Sequence, residues 1–157
     1  MILRSYDHHG GDAERLAEFT CSTGLPFEDA VEDWVRHSAV GWVNDVPRST
    51  FQRRALALIE DDEGGLVAVA AWQDIVRVDV EGIWLEALAV ASDHQHSGTG
   101  RRVYDLVKAQ LGQADRSGDH VAGLLHADNV RSKRLLASVG WRAVTAWEDH
   151  ELWIGDL

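Results

Sequence analysis

A glycine-containing segment between a predicted strand and a predicted helix has the residue types of an anion-binding loop. The segment reads Gln95-His96-Ser97-Gly98-Thr99-Gly100-Arg101. Gly98 and Gly100 lack Cβ atoms, so the main chain can adopt positive φ and approach a ligand closely. The first amides of the following helix have no intrahelical acceptor and lie at the positive end of the helix dipole. The segment therefore predicts a phosphate site, and Arg101 and Arg102 favour a highly charged ligand. An ordinary strand-to-helix turn is the alternative.

The strand before this loop carries one carboxylate among apolar residues. Glu86 interrupts the stretch IWLEALAV, which is predicted to be a central strand, where an unpaired carboxylate is costly to bury. Regular alternation would place Glu86 on one face with Trp84, Leu88 and Val90. We expect Glu86 to face a cleft. A structural ion pair, or exposure at the start of the strand, is the alternative.

Hydrophobic periodicity and turn residues predict the elements that position these groups. The predicted order begins with two helices and an antiparallel meander, and Asp12 is predicted to cap the first helix. A strand, the loop, a helix, a strand, a helix and a hairpin that turns at EDHE follow. The strands on either side of the helix that follows the loop should be parallel, through a right-handed crossover. We expect helices over 13–20, 27–35, 101–116 and 128–139, and strands over 55–60, 66–72, 82–90, 121–125, 141–147 and 152–154.

Length and composition indicate one compact α/β domain over residues 1–157. The longest apolar run, Leu66 to Trp72, is far shorter than the roughly 20 residues that cross a bilayer, and the N-terminus lacks the apolar stretch of a secretory signal. Cys21 is the single cysteine and cannot form an internal disulfide. These features predict a cytoplasmic protein without a membrane span.

The negative charge is concentrated in the first part of the chain. Residues 1–91 carry 7 basic and 17 acidic side chains, a net −10 of the total −11. Such a surface repels phosphate backbones and attracts cations, so it disfavours nucleic acid as a partner and favours a positively charged ligand. Solubility alone is the other explanation of an acidic surface.

Three blocks of the sequence carry a resemblance to a known family. They are Leu88-Ala89-Val90, the loop Gln95-x-x-Gly98-x-Gly100, and Asn129-x-x-Ser132-x-x-Leu135 ending in Val139-Gly140-Trp141. In this order they resemble the GNAT family of N-acetyltransferases, over roughly residues 83–141. The resemblance implies a mixed, mostly antiparallel sheet with helices on both faces and a splayed parallel strand pair.

The resemblance also implies how acetyl-CoA would bind as the acyl donor. The pyrophosphate would lie on the main chain of the loop 95–101, and main-chain groups of the segment 88–90 would pair with the pantetheine arm as an extra strand. Asn129 would bond the same arm and Ser132 would line the channel. Helix capping is the alternative role for Asn129.

This chain departs from the family where a tyrosine often protonates the departing thiolate, because it has Leu136 at that position. A thiol titrates near 8.5, so its thiolate leaves tolerably without help, whereas general acid catalysis typically contributes about a hundred- to ten-thousandfold. His126, at the end of a predicted strand, is our first substitute for the acid. His96 is the second candidate. For His126, the alternative is a histidine that merely lines the end of the strand.

An acceptor amine must lose a proton before it attacks, and Glu86 is the residue we predict for this, directly or through water. Trp84 is predicted to stack against the cationic amine. His94 and His96 lack the remaining ligands of a metal site, so no metal is expected. Cys21 is interpreted as a packing residue.

The sequence as a whole predicts an enzyme that transfers acetyl from acetyl-CoA to a primary amine of a cationic small molecule, protein or peptide. A homodimer is compatible with the resemblance. A non-catalytic acyl-CoA-binding module is the first alternative, on account of Leu136. A toxin-like GNAT protein acting on aminoacyl-tRNA is the second, and the acidic first half argues against it.

Overall fold

The computed structural model describes residues 1–45, 53–77, 80–112 and 120–157, without the side chains of 75–77 and 80–81. No helix among these residues is long and apolar enough to cross a membrane. The strands are β1 (Ile2–Ser5), β2 (Arg54–Glu60), β3 (Leu66–Arg77), β4 (Val80–Val90), β5 (His120–His126), β6 (Arg142–Trp147) and β7 (His150–Asp156). The helices are α1 (Asp12–Ala17), α2 (Pro26–His37), α3 (Ala39–Asn44), α4 (Thr99–Gly112) and α5 (Val130–Ser138), and a 3₁₀ turn covers Ser92–His94.

Within the described residues, seven strands form one mixed sheet in the order β1-β2-β3-β4-β5-β7-β6. The pairs β1–β2, β2–β3, β3–β4, β5–β7 and β6–β7 are antiparallel, and β4–β5 is parallel. The chain between the parallel strands includes α4, as a parallel connection requires. The predicted mixed α/β order and the predicted parallel pair are confirmed.

The sheet is covered on both faces, and each face has its own hydrophobic core. Residues of α4 and α5, including Val103, Val107 and Leu136, pack on one face with Ile83 and Val121 of the sheet. Residues of α1, α2 and α3 pack on the other face with Val69 and Ala89. We call these the α4–α5 face and the α1–α3 face.

Several local predictions need correction. Strand β1 and helix α3 were not predicted from sequence. Asp12 does not cap α1; Gly11 precedes the helix, and the Asp12 carboxylate is buried and accepts hydrogen bonds from Arg4. The last hairpin turns at Glu148 and Asp149 alone, because His150 already belongs to β7. The end predicted for the helix 101–116 lies outside the described residues.

The regular alternation predicted along β4 is wrong because the strand contains a β-bulge. Opposite β3, Leu85 pairs with Trp72 and Ala87 pairs with Ala71, so Glu86 is the extra residue. Leu85 packs on the α4–α5 face, and after the bulge the even-numbered residues Leu88 and Val90 take that face. Ala87 and Ala89 pack on the α1–α3 face.

Candidate functional site

The two parallel strands separate a short distance after they meet. In the described part of the chain, Gly82, Ile83 and Trp84 are the residues of β4 that pair with β5, where their partners are His120, Val121 and Ala122. Beyond this point β5 continues to pair with β7 as far as His126, and β4 continues to pair with β3 as far as Val90. The strands therefore open a wedge-shaped gap, which we call the splay.

Main-chain groups of β4 face this splay. The Ala91 amide donates to the Val67 carbonyl at 2.8 Å, and in an antiparallel ladder the residues that bond to one neighbour alternate with those that face away. Ala89 therefore bonds to β3, whereas Leu88 and Val90 direct their N–H and C=O groups toward β5. The sequence-based expectation that Leu88 and Val90 offer free main-chain groups fits this register, and Ala89 contributes only a side chain to the core.

The loop after β4 has the backbone of an anion cradle. His96 and Gly98 have positive φ values of 65° and 78°. The amides of Arg101 and Arg102 donate to the Gly98 carbonyl, which starts α4, and no N–H group of residues 96–100 donates a hydrogen bond within the described part of the chain. A Cβ added at Gly98 would meet nothing within 4 Å. The loop thus presents several unpaired amides to open space at a helix N-terminus, the arrangement that binds phosphate.

The side chains of the loop mainly hold it in shape. The Thr99 side chain is buried and its hydroxyl lies 2.7 Å from that of Ser97, which also donates to the His94 carbonyl. A Cβ at Gly100 would lie 3.4 Å from the Leu135 side chain, so the start of α4 packs next to α5. Arg101 is exposed and pairs with Asp105 on the next turn, and His96 is exposed.

Gln95 connects the loop to the strand before it. Its side-chain nitrogen donates to the Val90 carbonyl at 3.0 Å and to the Cys21 carbonyl at 2.7 Å. Its side-chain oxygen accepts from Arg131 at 3.3 Å, and Arg131 also lies 3.7 Å from Glu28 of α2. The structure therefore gives Gln95 a positioning role, since both ends of its amide are engaged within the protein.

The residues predicted on the next helix lie at its first turn. The Asn129 side-chain oxygen accepts from the Ser132 amide at 3.0 Å, so Asn129 caps α5. The capping alternative is what the structure shows, and the Asn129 side-chain nitrogen is the group left to donate to a ligand. Ser132 is half-buried.

Glu86 is exposed at the β4 bulge. Among the described residues it has no hydrogen bond or ion pair, so the structural ion pair that the sequence left open is absent. Trp84, two residues earlier, is half-buried and is the last residue of β4 to pair with β5. An unpaired carboxylate and an indole therefore lie close together along the strand where the splay opens.

His126 ends β5 inside a small aromatic and acidic cluster. Its ring stacks on Phe27 of α2, with ring centroids 5.1 Å apart, and meets the His150 ring edge-on at 5.4 Å. Its Nδ1 accepts from the Asp128 amide at 3.1 Å, and its Nε2 lies 3.6 Å from a carboxylate oxygen of Asp149. Sequence reasoning missed Phe27, Asp149 and His150, because only the folded sheet brings them to His126.

Two further predictions concern residues that the structure places in the core. Leu136, at the position where the family often has tyrosine, is buried on the α4–α5 face. Cys21 is buried, and burial raises the pKa of its thiol to about 12, which fits a packing residue and not a nucleophile. Within the described ranges, no group of three or more histidine, cysteine or acidic side chains is arranged to hold a metal ion.

The fold and the splay together define the class of protein: the chain has the GNAT acetyltransferase fold. An acetyltransferase from Thermus thermophilus matches with a TM-score of 0.66 at 19% identity, over 100% of this chain and 98% of that chain. The aminoglycoside 6'-acetyltransferase type Ii matches with a TM-score of 0.67 at 16% identity, over 99% and 97%. A chain of the NatC complex bound to Gag peptide and CoA matches with a TM-score of 0.61 at 10% identity, over 99% and 98%.

Neither a protein-family model nor a curated protein matches the sequence. At the identities of the solved structures the comparison establishes the fold, and it confirms the resemblance seen in the three sequence blocks at that level. The chain shares the architecture of proteins that carry out acetyl transfer.

Proposed function

We propose that this protein is an N-acetyltransferase that moves an acetyl group from acetyl-CoA to a primary amine. The observation that carries the proposal is the alignment of two sets of free main-chain groups in a GNAT fold. The amides of residues 96–100 lack acceptors within the described residues, and Leu88 and Val90 direct main-chain groups into the splay. Thr99 is buried, and Leu88, Val90 and Gly100 are half-buried. Amides at such positions rarely lack acceptors, so a polar ligand along this path is expected.

The residues along the path fit coenzyme A. The amides of 96–100 would hold the pyrophosphate, with the space beyond Gly98 open to receive it. Leu88 and the N–H of Val90 would pair with the amide groups of the pantetheine arm, and Asn129 would add its side-chain nitrogen. Acetyl-CoA supplies the activated acetyl group as a thioester. One neighbour, the NatC complex, was solved with CoA.

Glu86 is the residue that we assign to the acceptor amine. Its carboxylate attracts an ammonium group and takes up a proton from it, directly or through water, while Trp84 offers an aromatic face for the cation. The acidic first part of the chain raises the local concentration of cationic acceptors. Structural neighbours named for an aminoglycoside and for a bound peptide span the acceptor classes that we propose.

The thiolate leaves this site without the family's tyrosine, since Leu136 is buried and apolar. His126 is the first substitute that the sequence predicts. Both of its ring nitrogens face groups of the protein, the Asp128 amide and the Asp149 carboxylate. A proton on His126 is therefore held by these groups and is not readily passed to the substrate. We therefore propose that the thiolate leaves without the help of a general acid.

The test is acetyl-CoA turnover, measured as thiol release, over aminoglycosides, polyamines, lysine and peptide N-termini. Glu86→Gln should lower kcat/KM by about a hundredfold or more and leave the Kd for CoA unchanged, because the carboxylate acts on the acceptor. Glu63→Gln, an exposed glutamate in the β2–β3 turn, is the matched control and should behave as wild type. Failure of the protein to bind CoA would refute the proposal.

The second candidate function is a non-catalytic module that binds acyl-CoA, and the buried Leu136 is the observation that favours it. The same assay separates the two. CoA binding with no amine-dependent thiol release across the panel would support the module, whereas release that Glu86→Gln abolishes supports the enzyme.

A further inference from the structure

Asp149 and His150 form a carboxylate–imidazole pair at the turn between β6 and β7. The His150 Nδ1 lies 2.7 Å from one oxygen of the Asp149 carboxylate. That hydrogen bond holds the pKa of Asp149 below its usual range, so the carboxylate is ionised at neutral pH and can only accept. The Nδ1 of His150 must then carry the proton, and in the neutral ring Nε2 is left as a free base.

The two histidines of this cluster differ in what they can do. His126 has its Nδ1 bonded to the Asp128 amide and its Nε2 near Asp149. The Nε2 of His150 has no partner in the part of the chain that the structure describes, and the His150 side chain is 44% exposed. His150 is therefore the imidazole whose basic nitrogen can reach a ligand.

The sheet register places His150 beside the splay. Ala122 pairs with Trp84, and His126 lies four residues further along β5. Because Glu86 is an extra residue in β4, the position four ladder steps beyond Trp84 is Ala89, so His126 lies level with the segment from Leu88 to Val90. His150 pairs directly with His126 across β5 and β7.

Strand geometry also fixes the face on which these side chains lie. Cross-strand partners project from one face, and so do residues an even number apart on a strand. Trp84, His126 and His150 therefore share a face, and the stacking of Phe27 on His126 identifies it as the α1–α3 face.

The turn that carries the pair is held against β5. The Asp149 carbonyl accepts from the Ala127 amide at 2.7 Å, which anchors the turn to the end of the strand. The Asp149 carboxylate faces both rings, since its second oxygen lies 3.6 Å from His126. Such an anchored carboxylate can orient an imidazole and stabilise it when it becomes positively charged.

We propose that His150, oriented by Asp149, accepts the proton that the acceptor amine must lose. In this step an N–H bond of the ammonium breaks and its proton forms a bond to Nε2 of His150. The free amine then attacks the thioester carbonyl and forms the C–N bond as the C–S bond breaks. The nitrogen loses its second proton to solvent, coenzyme A leaves as the thiolate and takes up a proton from solvent, and the proton on His150 also passes to solvent. This inference rests on the proposed function and replaces one part of it: the proton passes to His150 instead of to Glu86, and Glu86 keeps the role of attracting the cation.

The chemistry favours an imidazole for this step. A histidine in water titrates near 6.5, so near neutral pH it both accepts and releases protons readily. The charged and titratable groups that the structure places around His150 are Asp149 on the same turn and His126 of β5, which in turn lies 3.9 Å from Asp128. These carboxylates stabilise a protonated ring, which is what a proton acceptor needs.

The pH dependence of kcat/KM tests this assignment in the whole protein. At pH 7 we expect His150→Gln to lower kcat/KM about a hundredfold and Asp149→Asn about tenfold, with the Kd for CoA unchanged. The loss should shrink as pH rises toward the pKa of the acceptor amine, because an amine that is already neutral needs no base. Glu148→Gln, on the same turn, is the matched control and should follow the wild-type profile.

A loss that is the same at every pH would indicate a merely structural role and would overturn the inference. Full activity of His150→Gln would overturn it as well and leave the proposed function intact. If wild-type protein binds CoA but acetylates no amine, the proposed function and this inference fail together.

Ring-nitrogen NMR provides a readout that does not depend on activity. Long-range ¹H–¹⁵N spectra of the wild-type protein should show neutral His150 protonated at Nδ1 and neutral His126 protonated at Nε2. In Asp149→Asn the His150 ring should lose its single tautomer. His150 protonated at Nε2 in the wild type would overturn the inference.

Discussion

The side-chain nitrogen of Gln95 donates a hydrogen bond to the carbonyl oxygen of Val90 at 3.0 Å. This bond folds the loop back onto the strand that it leaves. It also occupies the one carbonyl of Val90 that faces the splay, so at this residue only the N–H remains for a ligand. The sequence predicts that Gln95 binds the cofactor, but its side chain instead holds the loop in position through contacts within the protein.

Gln95→Leu should weaken CoA binding without removing any group that touches the ligand. The variant leaves the carbonyls of Val90 and Cys21 without their donor, which costs about 1–3 kcal/mol of stability, and it loosens the loop. We expect the Kd for CoA, measured by calorimetry, to rise about tenfold. Gln110→Leu, an exposed glutamine on α4, is the control, and equal effects of the two changes would contradict a positioning role.

Gly98→Trp should abolish CoA binding while the protein stays folded. The positive φ of 78° strains any other residue by about 1 kcal/mol, and the open space beyond Gly98 lets the indole occupy the predicted phosphate position. Gly64→Trp is a matched control, since Gly64 also has a positive φ, of 83°, and open space around it. Calorimetry and thermal unfolding should show equal stability loss in both variants and loss of binding only in Gly98→Trp. Tight CoA binding by Gly98→Trp would refute this position for the pyrophosphate.

The parts of the site that sequence predicted are those built from local chain features. The loop 95–101 combines glycines, a preceding strand and a following helix within a short stretch, so its geometry depends on nearby residues. The capping role of Asn129, which the sequence offered only as the alternative to cofactor binding, is local for the same reason. The parallel pair followed from the helical crossover, which leaves few topologies open.

What sequence could not predict depends on contacts between distant segments. The bulge at Glu86 arises from the register of β4 against β3. Alternation alone placed Leu85 and Leu88 on opposite faces of the sheet, whereas both pack on the α4–α5 face. His150 meets His126 only because β7 pairs with β5. Strand β1 is short and its outer residue Ile2 is exposed, so it lacks the apolar run by which a buried strand is found.

Gly155→Ala should destabilise the protein through a single steric contact. A Cβ at this position would lie 2.4 Å from the Trp141 indole, whose nitrogen donates to the buried Tyr104 hydroxyl at 2.8 Å. The indole must shift and disturb that bond, so we expect a loss of about 1–3 kcal/mol in the free energy of unfolding by urea. Gly112→Ala is the control, because a Cβ there meets nothing within 4 Å. Wild-type stability of Gly155→Ala would show that Trp141 moves freely.

The ion network at the start of the chain should make stability fall in acid. The Asp12 side chain is 1% exposed and accepts a hydrogen bond from Arg4, which also bonds to Glu60 at 2.7 Å, and Arg15 pairs with Glu60 as well. The Arg4 guanidinium is the main cause that lowers the pKa of Asp12 and of Glu60 in the folded protein. In the unfolded chain the pKa values are about 3.9 for Asp12 and 4.3 for Glu60. Because both pKa values are lower in the folded protein, the stabilisation is complete above the unfolded-state pKa values and is lost as pH falls through the folded-state pKa values.

The variant Asp12→Asn distinguishes the contribution of this network to acid sensitivity from that of the other carboxylates. The change removes the buried charge opposite Arg4, so we expect a loss of about 3–5 kcal/mol at pH 7, measured by urea unfolding. Because the variant lacks the Asp12 carboxylate, its stability should fall less steeply than that of the wild type between pH 5 and pH 3. Asp33→Asn, whose side chain is 80% exposed, should follow the wild-type curve throughout. If the free energy of unfolding fell equally steeply in acid for the wild type and for Asp12→Asn, other carboxylates would be the cause of the acid sensitivity.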